Sequence, residues 1–351
     1  MARKRFFKMV KIVFTAIMVF YGITTTLSIV AYNAFFIRMP TKNPDNIAGN
    51  YCYQRVAHRL PRQELDIPSG GNHLQGYFYP ARNSYGTVVV CHGFHNGADD
   101  YLPVIEYFVS RNFDVLAYDG TGVYNSDGAT LVGMSQQLID LDNVLQFVST
   151  NPQLSTKPLF LFGHSMGGYA CASVLALRGA MVNACACVAP VNDASTLMMD
   201  VSRQYVGDWV LVSQGVFEGY QRAIFGDWLN YDGVGGINSV DIPVFIAQGL
   251  YDKVIPHDTL SITAHADKIT NPNVTIYYQN GIQGGHTDLM YSKHATIYRQ
   301  GIQQKLEECK LSTKQKRKIV SSVDHELYSQ VNDHLFDQIV NVYLSTICNS
   351  N

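Results

Sequence analysis

Six short runs of β-branched and aromatic residues, each closing on a turn, constrain this chain's fold more than any other feature. They lie at residues 86–91 (GTVVVC), 113–118 (FDVLAY), 158–163 (PLFLFG), 182–189, 242–248 and 274–279. Most are nearly continuous in apolar residues, the pattern of strands buried on both faces. Between them run stretches with helical spacing: residues 136–150 carry Leu138, Leu141, Val144, Leu145 and Val148. Strands alternating with helices predict βαβ units, hence an α/β fold whose mostly parallel sheet has helices on both faces. The 351 residues are 47% apolar and 15% charged, which supplies a core and excludes a disordered chain.

Two regions interrupt this rhythm. Residues 191–241 separate the fourth and fifth runs by about fifty positions, far more than an ordinary connection, and hold both tryptophans, Trp209 and Trp228. This segment predicts a helical cap over the carboxyl edge of the sheet; the alternative is an insertion that packs for stability only. Residues from about 290 to 351 read as a helical extension, with a basic stretch at 310–318 expected to be a solvated turn.

The N-terminus is of another kind. No charged residue occurs between Ile12 and Ile37, and residues 12–32 alone would make a helix about 30 Å long, the thickness of a bilayer core. Arg3, Lys4, Arg5, Lys8 and Lys11 precede this stretch; Arg38 and Lys42 follow it. The positive-inside rule then gives a basic cytoplasmic tail at 1–11, a transmembrane segment at 12–37, a linker at 38–50 and an extracytoplasmic body at 51–351. A cleaved leader ending near Ser28-Ile29-Val30-Ala31, and so a secreted protein, is the alternative, and a buried core helix a third. Setting aside those seven basic residues leaves 19 against 28 acids, a net charge of −9. An acidic body without a basic stripe argues against nucleic acid as a partner. The seven cysteines show neither a disulfide framework nor zinc-ligand spacing, and nothing in the sequence calls for a cofactor.

Chemistry concentrates in the turns. Gly163-His164-Ser165-Met166-Gly167-Gly168 follows one strand and opens a small-residue helix. A strand–turn–helix with flanking glycines exposes a serine on a strained elbow, backed by helix N–H groups. A serine needs a base, and the base an orienting carboxylate. Asp252 lies in the loop after the fifth run and His286, approached by Gly284-Gly285, in the loop after the sixth, so both share the sheet edge of Ser165. Asp288, Asp232 and Asp241 are rival acids. A tetrahedral intermediate needs N–H donors, assigned to Met166 and to Phe94 in the loop after the first run. His92 and His95 with Asp99 and Asp100 could instead suggest metal ligands, but their spacing matches no strong zinc pattern, and a hydrogen-bonded loop histidine is the preferred reading.

The segments HGFH (92–95), DGTG (119–122), GHSMGG (163–168), GLYDKVIP (249–256) and GGHTD (284–288) together resemble the α/β-hydrolase superfamily over about residues 70–290. They are most similar to its monoacylglycerol lipase-like and serine aminopeptidase-like branch. The resemblance implies a mostly parallel eight-stranded sheet with a cap at 191–241. It also implies Ser165 as nucleophile, Asp252 as orienting acid, His286 as base, and the Phe94 and Met166 amides as oxyanion hole, in the order serine, aspartate, histidine. DGTGVYNS stands where the branch usually has D-x-R-G-x-G-x-S, so the arginine of that turn is missing. The expected activity is hydrolysis of a small-molecule carboxylic ester with an acyl or lipid-like group through an acyl-enzyme. Peptidase, thioesterase or acyltransferase chemistry is the alternative, and a non-catalytic binding protein a further one.

Overall fold

A computed structural model describes residues 2–41, 52–207, 210–307 and 311–348. Residues 42–50 of the expected linker, Trp209, Cys309 and Lys310 lie outside the described residues. The six runs form strands β3 (Thr87–Cys91), β4 (Asp114–Tyr118), β5 (Leu159–His164), β6 (Ala184–Val188), β7 (Val244–Gly249) and β8 (Val274–Gln279). An additional antiparallel hairpin precedes them, β1 (Gln63–Ser69) and β2 (Asn72–Tyr79). Together they make one eight-stranded sheet in the order β1-β2-β4-β3-β5-β6-β7-β8, parallel from β4 through β8.

Every residue of β3 through β7 is buried, because both faces of the sheet are covered. Val89, Cys91, Leu161, Cys185 and Ile246 face one layer, which includes α3 (Met134–Thr150) and α4 (Met166–Arg178). Val88, Val90, Phe160, Phe162, Ala186 and Phe245 face the other, formed by α2 (Leu102–Ser110) and a C-terminal helix. The two sets alternate along each strand, the period of two that a pleated sheet imposes.

Between β6 and β7 lie α5 (Ala194–Val206), α6 (Val210–Phe225) and α7 (Gly233–Asn238). α7 packs on the body rather than in a cap: a Cβ on Gly236 would stand 2.0 Å from the Ala172 carbonyl of α4. The extension holds α8 (Lys293–Glu307), α9 (Thr313–Ser321), α10 (His325–Ser329) and α11 (Asp333–Cys348). The described part of the basic stretch is the exposed face of α9, opened by a Ser312/Gln315 capping box, and not a turn. α11 is itself a core layer. Its Tyr343 ring stacks on Phe160 at 4.7 Å, and its hydroxyl donates to the Leu161 carbonyl at 2.7 Å.

The N-terminal apolar stretch is one helix of 34 residues, α1 (Ala2–Phe35), exposed along residues 3–23. Its last turns are packed: Ser28, Tyr32 and Phe36 are buried, four residues apart on one face. The segment expected to be a linker begins inside the body. The Met39 N–H donates to the Gly122 carbonyl, and Arg38 donates to the carbonyls of Tyr124, Ser126 and Gly128.

Candidate active site

Ser165 sits between β5 and α4 with φ +58° and ψ −119°, a left-handed conformation that an L-residue holds only under constraint. The flanking glycines impose it. A Cβ on Gly163 would stand 2.2 Å from the Gly167 carbonyl, and one on Gly167 would stand 2.2 Å from that of Cys91. With no side chains there, α4 closes onto β3 and β5 and lifts Ser165 to the sheet edge. Met166 is the first residue of α4, so its N–H has no partner within the helix.

The loops after β7 and β8 are knit to each other. The Tyr251 N–H donates to the Gly284 carbonyl at 2.8 Å, and Gly249 approaches that carbonyl too closely for any side chain. This brings Asp252 and His286 together. Asp252 Oδ1 accepts the N–H groups of Val254 and Ile255 at 2.9 and 2.8 Å, and Oδ2 accepts Gln248 Nε2 at 3.3 Å. Oδ2 also meets His286 Nδ1 at 2.7 Å, and His286 Nε2 meets Ser165 Oγ at 2.9 Å. With Nδ1–H donating to the carboxylate, Nε2 is left to accept the serine proton. Ser165, His286 and Asp252 therefore form one hydrogen-bonded chain, largely shielded from water.

Sequence reasoning missed Tyr101 and His164, which hold this chain in place. The Gly93 N–H donates to the Tyr101 hydroxyl at 2.8 Å, and that hydroxyl donates to His164 Nδ1 at 2.8 Å. His164 Nε2–H then donates to the His286 carbonyl at 3.2 Å. Burial, and next the neighbouring His286, lower the His164 pKa to about 3, so the ring stays neutral in this role. His92 works similarly on the other side: its Nδ1–H donates to the Gly93 carbonyl at 2.8 Å, and Nε2 accepts the Gly120 N–H at 3.0 Å. Burial lowers its pKa as well. The loop carrying Phe94 is thus tied to both β4 and β5. The only local signal for His164 was its place inside the glycine–serine motif.

The rival acids have other partners. Asp288 Oδ2 accepts Gln300 Nε2 at 3.3 Å, and Asp232 caps α7 through the Gly235 N–H; Asp241 lies at the amino end of β7, on the edge opposite Ser165. Asp99 pairs with Arg62 at 2.7 Å, and Asp100 accepts from the Gly97 N–H and the Tyr124 hydroxyl. The turn expected to lack an arginine receives one from a distance, Arg38. Cys91, Cys171, Cys185 and Cys187 are buried free thiols.

Comparison with known proteins agrees with this architecture. The family model Hydrolase_4, serine aminopeptidase, S33, matches residues 82–214, which include Ser165 but stop before Asp252 and His286. The uncharacterized protein YfhR of Salmonella typhimurium is 27% identical over 283 residues, 77% of this chain and 86% of that protein. The polyketide transferase grgF of a Penicillium species is 27% identical over 144 residues, 40% of this chain and 49% of that one. Among solved structures, the Pyrococcus furiosus esterase Pf2001 superposes with a TM-score of 0.56 at 17% identity, covering 78% of this chain and 96% of that one. The alpha/beta hydrolase GrgF from Penicillium does so with 0.51 at 19% identity, covering 70% and 97%.

Proposed function

We propose that this chain, which has the α/β-hydrolase fold and matches a serine aminopeptidase-like hydrolase family model over residues 82–214, is a membrane-anchored serine hydrolase cleaving carboxylic esters with acyl or lipid-like groups. The observation that carries the reading is the chain Ser165 Oγ–His286 Nε2 at 2.9 Å and His286 Nδ1–Asp252 Oδ2 at 2.7 Å, on an elbow at the head of α4. Ser165 Oγ attacks the ester carbonyl as His286 Nε2 takes its proton. The carbonyl oxygen becomes an oxyanion held by the Met166 and Phe94 N–H groups. Collapse expels the alcohol, which receives the proton from His286 and leaves an acyl-serine. Water, deprotonated by the same ring, then attacks the acyl carbon and releases the acid. α1, with a window of mean hydropathy 1.9, is the membrane anchor of this reading, with the body on the extracytoplasmic side.

Acyl transfer is the second reading, favoured by the sequence likeness over 144 residues to a polyketide transferase of Penicillium; an acceptor hydroxyl or amine would replace water in the second step. A peptidase reading takes its support from the description of the matching family model. It needs acids in the cap to hold an α-amino group. Asp193 is occupied in capping α5 through Thr196, and Glu218 is exposed and paired with Gln214.

The test is fluorophosphonate labelling of the full-length protein in detergent, beside Ser165→Ala and His286→Ala. Labelling of the wild type alone is expected, with ester turnover reduced by about 10³-fold or more in either variant. Absence of labelling in folded wild type would sink the catalytic reading. Ester, thioester and aminoacyl amide substrates, each with and without an added alcohol acceptor, then separate the alternatives.

A further inference from the structure

The mechanism leaves the end of α1 unused, although this end reaches the oxyanion loop. The last carbonyls of a helix lack intrahelical donors. Here the His95 ring lies beside the Phe35 ring, with centroids 6.4 Å apart. The Phe35 ring stacks on Phe94 at 4.9 Å and 15°, Phe94 stacks on His95 at 3.9 Å, and Phe36 meets Phe94 edge-on at 5.6 Å. The Phe36 carbonyl also accepts the Leu131 N–H at 2.8 Å. His95 is held at φ +56°, a conformation that persists in a non-glycine residue only where the surroundings enforce it. Phe36, just beyond α1, lines a cavity of about 10 Å³ together with Phe94 and Met166.

The same contact fixes a height. Counting from Ile12, a helix has crossed about 30 Å by Tyr32. Tyr32 and Asn33 are where α1 meets α6: the Tyr32 ring lies edge-on to Tyr220 at 5.3 Å, and Asn33 Nδ2 donates to the Tyr220 hydroxyl at 2.9 Å. Tyr251 and Val254, in the loop after β7 that carries Asp252, are exposed apolar side chains at the carboxyl edge of the sheet, and Ile37, just beyond α1 and bridged to Thr130, is another exposed apolar side chain.

We propose that the end of α1 is a positioning element of the active site: Phe35 and Phe36 clamp the oxyanion loop, and the same contact holds the mouth of the site at the lipid headgroups, where its substrate is an acyl ester carried by the bilayer. This rests on the ester-hydrolase and anchor readings above. The anchor is then a wall of the site rather than a tether, and the cap helix α6 lies at the membrane surface.

The experiment uses the full chain in phosphatidylcholine vesicles with three probes: a fluorophosphonate, soluble p-nitrophenyl butyrate, and 4-methylumbelliferyl oleate dissolved in the bilayer. Unlabelled wild type overturns the hydrolase reading, and this inference falls with it. With labelled wild type, Phe35→Ala is expected to lower kcat on the soluble ester about ten- to hundredfold at nearly constant KM, with labelling slowed in proportion and Phe35→Trp restoring both. An unchanged kcat in folded Phe35→Ala overturns the clamp. If that variant fails to fold, His95→Ala, which leaves Phe35 and Phe36 in place and removes only the ring that stacks on Phe94 from the loop side, is read by the same criteria. Wild type is expected to show at least tenfold higher kcat/KM on the bilayer ester than on the soluble one; an equal or lower value overturns the bilayer source.

Discussion

At the scale of single residues, two buried groups near the site titrate with opposite signs. His164 is lowered to about 3, so between pH 6.5 and 3 the unfolded chain binds a proton that the folded chain does not. Its contribution to stability is complete above pH 6.5 and is lost as the pH falls through that window. Asp119 is pushed up to about 7, chiefly by burial, although it accepts the Ala98 N–H at 2.9 Å. From about pH 4 to 7 the folded chain binds the extra proton, so this group costs stability as the pH rises. Each slope is up to about 1.4 kcal/mol per pH unit within its window. The two slopes oppose each other between about pH 4 and 6.5, so His164→Gln is expected to leave stability falling with rising pH there, and Asp119→Asn to leave it rising. Urea unfolding across pH 4–8 checks both; curves parallel to wild type would mean that these groups titrate normally in the folded protein. The side chains singled out by their turns, Ser165, Asp252 and His286, come together, because turn glycines and strand ends leave local marks. Tyr101 and His164 were not legible in their supporting roles, since their partners lie on other strands and loops; His92 was legible as a hydrogen-bonded loop histidine, but not its partner Gly120 across the sheet.

At the scale of elements, glycine separates what is fixed by close packing from what is free. Gly167→Ala would drive a Cβ into the Cys91 carbonyl, forcing α4 off β3. A loss of about 3 kcal/mol or more is expected, with fluorophosphonate labelling abolished. Gly301, inside α8, has open space where its Cβ would be, so Gly301→Ala should gain about 0.5–1 kcal/mol from helix propensity. Thermal midpoints of the two variants moving in the same direction would contradict the packing described here. The same contrast explains which elements the sequence revealed. β3 through β7 are buried on both faces and stand out as apolar runs. The hairpin β1–β2 escaped notice: β1 is half exposed, contains Pro68, and turns through Ser69-Gly70-Gly71-Asn72 without a strong apolar stripe. Arg38 was illegible for a different reason, since its three carbonyl partners lie some 90 residues downstream.

At the scale of the whole molecule, both ends of the chain close the core. Truncation before α11 would strip Leu335, Phe336, Ile339 and Tyr343 from one face of the sheet and leave the Leu161 carbonyl without its Tyr343 donor. The N-terminal end matters similarly, although it reads as an appendage. Beginning the chain at residue 45 deletes Tyr32 and Phe36, both buried, together with Arg38 and Met39, which are hydrogen-bonded to the turn after β4. Burying each aromatic ring is worth about 1.5–3 kcal/mol, so the deletion removes on the order of 5 kcal/mol from a domain whose total stability is on the order of 10. It also uncovers Phe94 and Leu131, whose apolar surfaces then face water. A chain of residues 45–351 is therefore expected to melt well below the full-length protein in the same detergent, to aggregate from the cap side, and to label slowly with fluorophosphonate. A chain of residues 24–351, which keeps the packed turns of α1 and loses only its exposed length, should keep both the melting temperature and the labelling rate. The difference between these two truncations separates packing from membrane attachment, because both lack a complete span. Equal melting temperatures and rates would show α1 to be a tether, with the core complete without it.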